Sequence, residues 1–313
     1  DHYTYDIHPV EKDKLDSFMK EKAFKAINVT IPYKKDVIPY LTELDDASKK
    51  IGAVNTIVNK NGNLYGYNTD YYGFDYMVRK HKVSFTDKKV LVLGNGGASQ
   101  AIQAVIKDHG AKEMLVTDIV MNPGILSIEE VYDKHPDIDI VVNTTPCGMY
   151  PNVDSAAVDL SQFKKIEAVF DCVYNPMDTE FTLQAKELGI KVAVTGLEML
   201  VAQAKRALEH FKDIQIDDEE IDRIYREILL ETANLITTCQ DINVLNELSS
   251  KIQKPVVYFQ QDEQQAIENN QILVIDKNDI IKHHKRLISN GFIVDGDSTS
   301  LILEHFKKSI QNY

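Results

Sequence analysis

Runs with strand-like and helix-like spacing alternate through most of the chain, the pattern of an α/β architecture with parallel sheets. Ala26-Ile27-Asn28-Val29-Thr30 reads as a short strand, and Pro32 stands where a first helical turn accepts proline, so a helix is expected directly after it. Ala53-Val54-Asn55-Thr56-Ile57-Val58 leads to Asn61-Gly62, the strongest short hairpin signal, and Leu64-Tyr65-Gly66-Tyr67 returns. The hairpin delivers Asn68-Thr69-Asp70 to a helix start at which Thr69 or Asp70 would cap. Lys89-Val90-Leu91-Val92-Leu93 is a continuous apolar strand that runs into Gly94-Asn95-Gly96-Gly97-Ala98-Ser99 and an alanine-rich helix to about His109. Further buried strands are expected at Met114-Leu115-Val116, from Ile138 to Val142 and at Ala168-Val169-Phe170, with helices from Thr179 and Gly196.

Glu219 to Thr238 has apolar residues near helical spacing and reads as an amphipathic helix joining two bodies. After it, Pro255 to Phe259, Gln271 to Ile275 and Gly291 to Val294 read as strands, each beside a helical segment, which makes a small α/β module. At the other end the chain opens on a strand-like segment, His2-Tyr3-Thr4-Tyr5-Asp6-Ile7, with no methionine ahead of it. It is read as lacking its true N-terminus.

The 313 residues suffice for two or three domains, and 43% hydrophobic content suffices for ordinary cores. A net charge of -13 argues against nucleic acid or an anionic membrane as partner. No apolar run of about 18 residues is present, so no membrane crossing is expected. Cys147, Cys172 and Cys239 are too few and too scattered for a disulfide framework or a zinc site, which suits a reducing cytoplasm. His283 and His284 adjoin on a predicted helix and point in different directions, so no metal site is expected there.

The glycine turn carries the first chemistry. A strand feeding Gly94, Gly96, Gly97 and Ala98 ahead of a helix lets backbone amides approach a pyrophosphate at the positive end of the helix dipole. The competing reading is a tight turn that binds nothing. Asp118 follows Val116-Thr117 where a ribose-reading carboxylate is expected, about 20 residues beyond the turn. Such a carboxylate accepts bonds from ribose hydroxyls and repels a 2′-phosphate, favouring NAD over NADP; an ordinary turn aspartate is the alternative. A second constellation joins Asn28-Val29-Thr30-Ile31-Pro32-Tyr33-Lys34, Gly52 to Thr56 and Gly66 to Asp70. Lys34 at a helix start would be unfavourable to the dipole unless Asp70 offsets it.

Across residues 3 to 211 these strings, with Gly73-Phe74, Asn143-Thr144-Thr145-Pro146-Cys147-Gly148-Met149, Asp171-Cys172-Val173-Tyr174-Asn175-Pro176, Gly196 and Met199 to Gln203, closely resemble the shikimate dehydrogenase family. The resemblance implies a substrate domain with a mixed sheet over residues 1–84, completed by helices at 197–212. It also implies a Rossmann-like NAD(P)-binding domain over 85–196. A linking helix over 213–238 and a small α/β C-terminal module over 239–313 follow. It implies reversible reduction of 3-dehydroshikimate to shikimate with NADP or NAD, Lys34 and Asp70 being the catalytic pair. Thr30, Asn55, Asp70, Tyr174 and Gln203 would surround the substrate, and Thr145, Gly148, Met149 and Gly196 would lie along the nicotinamide. The expected partner is a small molecule, in the cytoplasm, with a homodimer open as the assembly. The alternatives are a quinate/shikimate dehydrogenase using NAD and a non-catalytic binding protein of dehydrogenase descent.

The sequence departs from the family in three places. The Ser-x-Ser segment that holds the substrate carboxylate is absent, and Asn122-Pro123-Gly124 stands where a crossover helix and another strand are expected, so one βα unit is read as missing. Thr117-Asp118-Ile119 replaces the family's basic motif for the NADP 2′-phosphate. Residues from about Ala233 have no counterpart in a plain family member. Leu287-Ile288-Ser289-Asn290-Gly291 faintly resembles a late shikimate kinase segment, but no Gly-x-x-x-x-Gly-Lys-Ser/Thr loop is present and phosphoryl transfer is not expected.

Overall fold

Short apolar runs separated by glycine and asparagine turns assemble into three sheets in the computed structural model, which describes residues 4–120, 122–259 and 270–313. The first sheet holds β1 (Ala26–Asn28), β2 (Glu43–Leu44), β3 (Thr56–Lys60) and β4 (Asn63–Tyr67) in the order β1-β3-β4-β2. Its β1/β3 and β3/β4 pairs are antiparallel and its β4/β2 pair parallel. Asn61 and Gly62 turn the β3–β4 hairpin with φ of 55° and 85°, the left-handed pair that a two-residue loop demands.

Three local expectations fail here. No helix follows β1: residues 31–37 form successive turns, ending in a 3-10 turn at Ile38–Tyr40. The Lys34 carbonyl accepts the Val54 N–H at 2.8 Å, so it does not serve the Ile38 N–H, which goes to Lys35 instead. The cap of helix Thr69–Lys80 is Asn68, not Thr69 or Asp70. Its Oδ1 accepts the Tyr71 N–H and its Nδ2 donates to the Ala53 carbonyl, which fixes the extended backbone that a cap needs. Residues 4–7 form no strand and lie exposed, while His2 and Tyr3 lie outside the described residues. Tyr5 reaches the edge strand β1 only through its hydroxyl, which donates to Asn28 Oδ1 at 2.9 Å, and no ladder forms.

The second sheet is parallel throughout: β5 (Lys89–Leu93), β6 (Glu113–Thr117), β7 (Ile140–Asn143), β8 (Ala168–Asp171) and β9 (Val192–Val194), ordered β6-β5-β7-β8-β9. Among the described residues a single short helix, Ile128–Lys134, makes the crossover from β6 to β7, with no further strand between them. The chain thus leaves β5 to one side and returns on the other. This creates a topological switch point beyond the ends of β5 and β7, where open α/β sheets hold ligands. Both sheet faces are covered, as parallel sheets require. Val90, Val92, Ile140 and Phe170 pack on one side with Phe74 and Phe85, whereas Leu91, Leu93, Val141 and Val169 pack on the other with Val131 and Phe181. Phe74 belongs to helix Thr69–Lys80, so that helix bridges the first sheet and the second.

Helix Leu197–Lys212 lies against helix Thr69–Lys80. Their approach depends on Gly73, where a Cβ would stand 2.6 Å from the Met199 carbonyl oxygen. Helix Glu219–Thr232 follows, and the chain becomes strand at β10 (Asn234–Thr237), contrary to the expected continuous helix to Thr238. Leu235 and Ile236 satisfy either spacing in so short a run; pairing with strands on both sides decides the outcome. With β11 (Val256–Tyr258), β12 (Ile272–Val274) and β13 (Gly291–Ile293) it forms the third sheet, parallel throughout and ordered β11-β12-β10-β13.

This last module is not a separate bead. Tyr76, Val201 and Ala202 of the first two long helices share one core with Ile221, Tyr225 and Leu229 of the linking helix and with Leu235, Leu245 and Phe306 beyond it. Polar ties run alongside: Lys80 bridges Glu198 (2.8 Å) and Asp222 (2.5 Å), and Lys205 bridges Glu209 (2.9 Å) and Asp218 (2.8 Å). Glu198, Lys205 and Glu209 are buried, and ties of that kind fix orientation more than they add stability. Among the described residues no helix is long and apolar enough to cross a membrane, and no group of three or more His, Cys, Asp or Glu could hold a metal. Replacing the fully buried Ile221 by Ala should cost about 2–5 kcal/mol in urea unfolding followed by circular dichroism. A loss under about 0.5 kcal/mol would mean that the linking helix is not part of the cooperative core.

Candidate active site

The turns after β1 and the first turn of helix Thr69–Lys80 bring Lys34 and Asp70 together. Lys34 Nζ stands 2.6 Å from Asp70 Oδ2, and the two side chains are 15% and 12% exposed. Asp70 sits in the helix's first turn, where the unpaired N–H groups favour a carboxylate. Lys34 is held by backbone on both flanks, its carbonyl on the Val54 N–H and the Tyr33 N–H on the Thr30 carbonyl. The ammonium therefore projects from a braced loop, partly shielded from water.

Behind this pair a polar network sets two amides. The Thr69 N–H donates to Asn55 Oδ1 at 2.8 Å, and the Thr56 hydroxyl donates to the same oxygen at 3.0 Å. The Thr69 hydroxyl lies 3.2 Å from Asn55 Oδ1 and 3.2 Å from Gln203 Oε1. A backbone N–H can only donate, so the Asn55 oxygen is turned inward and its NH2 group is left facing the site. Neither Nδ2 of Asn55 nor Nε2 of Gln203 has a hydrogen-bond partner among the described residues. Thr30 is exposed on the same side, at the end of β1.

Across from this face lies the glycine turn. Gly94 has φ of 94°, and a Cβ there would stand 2.8 Å from Thr144 Oγ1, so only glycine lets the β5 and β7 ends close on each other. Helix Gly97–Asp108 begins at Gly96 with no side-chain cap, and the space over Gly96 is open. Gly96, Gly97 and Ala98 thus offer unclaimed N–H groups at a helix N-terminus, a cradle that fits a phosphate-bearing ligand. The cradle adjoins the ion pair: a Cβ on Gly97 would stand 3.5 Å from Lys34 Cδ. Asp118 is half-buried at the end of β6, where one oxygen accepts the Asn95 N–H (2.6 Å) and the other the Val120 N–H (2.9 Å). It braces the glycine turn.

Thr145, Gly148 and Met149 line the loop after β7, with Met149 45% exposed. Their loop is anchored through a buried chain of bonds. Thr145 donates from both N–H and hydroxyl to Asn143 Oδ1, and Asn143 Nδ2 donates to Asp171 Oδ1 at 2.9 Å. Asp171 also receives the Val173 N–H at 3.0 Å and the Thr179 hydroxyl at 2.6 Å. Gly196 N–H donates to the Val173 carbonyl, which ties the start of helix Leu197–Lys212 to the same strand end. Tyr174 is 50% exposed and forms no hydrogen bond to Lys34 or Asp70; its ring lines a cavity against the linking helix. Burial pushes the Cys172 thiol up, helped by Asp171 and Asp70, so it is no nucleophile at neutral pH.

Residues 2–57 match the family described as the shikimate dehydrogenase substrate binding domain. Over 232 residues the chain is 39% identical to a shikimate dehydrogenase (NADP(+)) of Clostridium beijerinckii, covering 71% of this chain and 86% of that one. This chain belongs to the shikimate dehydrogenase family. A chorismate mutase/shikimate 5-dehydrogenase fusion protein from Clostridium acetobutylicum superposes with a TM-score of 0.65 at 36% identity, covering 71% and 84% of the two chains. The Thermus thermophilus shikimate 5-dehydrogenase, solved with NADP(H) and shikimate, gives 0.61 at 27% identity, covering 70% and 86%. The mixed sheet followed by a parallel sheet is the expected α/β fold of the family.

Sequence reasoning passed over the roles of Thr69, Asn143, Asp171 and Thr179. Two of them carried a signal: Asn143 and Asp171 are the polar ends of otherwise apolar buried strands, and such groups demand partners. Burial pushes the Asp171 carboxyl up to about 6 from its ordinary 3.8, while Thr179, the Val173 N–H and Asn143 pull it back. With the folded value the higher one, the stability this group lends is full below about pH 4 and is lost as pH rises through 6. The isosteric Asp171→Asn variant should therefore gain on the parent between pH 5 and 7.5, by about 1–1.5 kcal/mol. Paired thermal melts at the two pH values check this; an unchanged difference would assign the titration elsewhere.

Proposed function

We propose that this chain interconverts 3-dehydroshikimate and shikimate with a nicotinamide dinucleotide. The observation that carries the reading is the shielded Lys34–Asp70 pair beside an uncapped glycine-rich helix start. The dinucleotide supplies or accepts the hydride. Lys34 then hydrogen-bonds the substrate oxygen that gains or loses a proton, stabilising alkoxide character as it develops. Asp70, 2.6 Å away, orients the ammonium and accepts a substrate hydroxyl. Asn55 and Gln203 offer their outward NH2 groups to further hydroxyl oxygens, with Thr30 and Tyr174 at the rim. Gly96, Gly97 and Ala98 would hold the pyrophosphate, and Thr145, Gly148, Met149 and Gly196 the nicotinamide. The relatives' names carry NADP(+), while Asp118 and the lack of Lys or Arg over residues 117–124 disfavour a 2′-phosphate in this chain. We propose a structural role for residues 239–313, supported by the core they share with the linking helix rather than by any phosphate-binding loop. A cytoplasmic location suits the three free cysteines.

Following reduced-cofactor absorbance with shikimate and either NADP+ or NAD+ tests the reaction. The Lys34→Ala variant should lose about 10²–10⁴ in kcat with the KM for cofactor little changed. Turnover retained within about threefold would remove Lys34 from the chemistry. The Asp118→Asn variant keeps an acceptor for Asn95 but drops the charge, and should raise the NADP+ to NAD+ ratio of kcat/KM by about five- to tenfold. An unmoved ratio would leave Asp118 as a brace alone.

A further inference from the structure

The segment after β8, from Cys172 to Asp178, carries backbone bonds in two directions. Toward the candidate site, the Val173 carbonyl accepts the Gly196 N–H at 2.9 Å and the Asn175 carbonyl accepts the Tyr150 N–H at 3.0 Å. Gly196 lies so close to the Cys172 carbonyl that no Cβ fits between them. Toward the last module, the Met177 carbonyl accepts the Tyr313 hydroxyl at 2.7 Å, and the Asp178 N–H donates to the Ser289 carbonyl at 3.2 Å. The segment that presents Tyr174 and, through Tyr150, steadies the loop of Met149 is thus held from behind by residues that follow the linking helix.

Tyr313, just past helix Thr299–Asn312, is itself set from two sides. Its ring meets Phe292 edge-on at 5.5 Å, and Lys186 Nζ lies over it 5.2 Å from its centre. Lys186 in turn pairs with Asp178 Oδ1 at 2.6 Å, so the cation ties the ring to the same segment. Burial pushes the Tyr313 phenol well above its ordinary value and the Asp178 carboxylate adds to this, so the hydroxyl keeps its proton and stays a donor at neutral pH. Packing alone would be served by phenylalanine; the hydroxyl adds the bond to Met177.

We propose that Tyr313 is a positioning residue for the reaction read above: its bond to the Met177 carbonyl fixes the 172–178 segment so that Tyr174 stands at the substrate. The inference deepens that reading and rests on it. The glycine turn that would hold the pyrophosphate is built on β5 and the helix after it, apart from this segment. Slack in the segment is therefore felt by the substrate more than by the dinucleotide.

Tyr313→Phe keeps the ring and removes the bond. Hydrogen exchange read by mass spectrometry should quicken by about three- to tenfold at the amides over residues 172–178, with helix Glu219–Thr232 unchanged. In steady-state kinetics the KM for shikimate should rise by about three- to tenfold while that for the dinucleotide stays within about twofold. A mere loss of folded enzyme would lower kcat and leave both KM values where they were. Leu248→Ala, fully buried in the core shared with the module, should lower the melting temperature and move neither KM. Unchanged exchange over residues 172–178 in Tyr313→Phe would overturn the tie, and that measurement needs no turnover. Faster exchange with an unmoved shikimate KM, or an equal rise in Leu248→Ala, would overturn the positioning role. A parent chain that oxidises shikimate with neither dinucleotide would overturn the reaction and the positioning role together, while exchange still decides the tie.

Discussion

The approach of helices Thr69–Lys80 and Leu197–Lys212 at Gly73 is the constraint on which the rest depends. With a Cβ excluded there, one helix brings Asp70 and Thr69 to the same edge to which the other brings Gln203. The same first helix sends Phe74 into the parallel sheet's core, edge-on to Phe170 at 5.6 Å. That helix, with the packing of Ile51 and Ala53 on Ala101 and Ala104, holds the two sheets against one another, and the Lys34 loop meets the glycine turn beside it. A methyl group at Gly73 would push against backbone, which cannot rotate away as a side chain can.

Much of this was legible in the chain. The Asn61-Gly62 hairpin, the β5–glycine–helix unit and the alternating strands of the parallel sheet each carry a local signal that agrees with the fold. Lys34, Asp70, Asn55 and Gln203 were recognised through the family's motifs, not through spacing, since they lie far apart in sequence and meet only in space. What stayed hidden depended on long-range bonds. Lys34 escaped a helix because Val54 claims its carbonyl, and β10 escaped one because strands await it on both sides. Short apolar runs do not encode which neighbour they will find.

Polar residues at strand ends tell a related story. Asp171 is fully buried and charged only against the cost of desolvation, yet it gathers Asn143, Val173 and Thr179 around one carboxylate. That hub shapes the loop carrying Thr145 and the segment reaching Gly196. Local stability is given up for geometry, a common trade where loops must be held within fractions of an ångström.

The inward turn of the Asn55 oxygen has a further consequence for fidelity. Because the Thr69 N–H dictates which end of the amide faces the substrate, that wall speaks only as a donor. In the proposed site a ring lacking the matching oxygen would strand a polar hydrogen in a half-dry cleft, so a deoxygenated mimic would be disfavoured through what is left unanswered rather than through a clash. Selectivity of this kind is written into the backbone of a helix's first turn, and drifting side chains alone could not readily erase it.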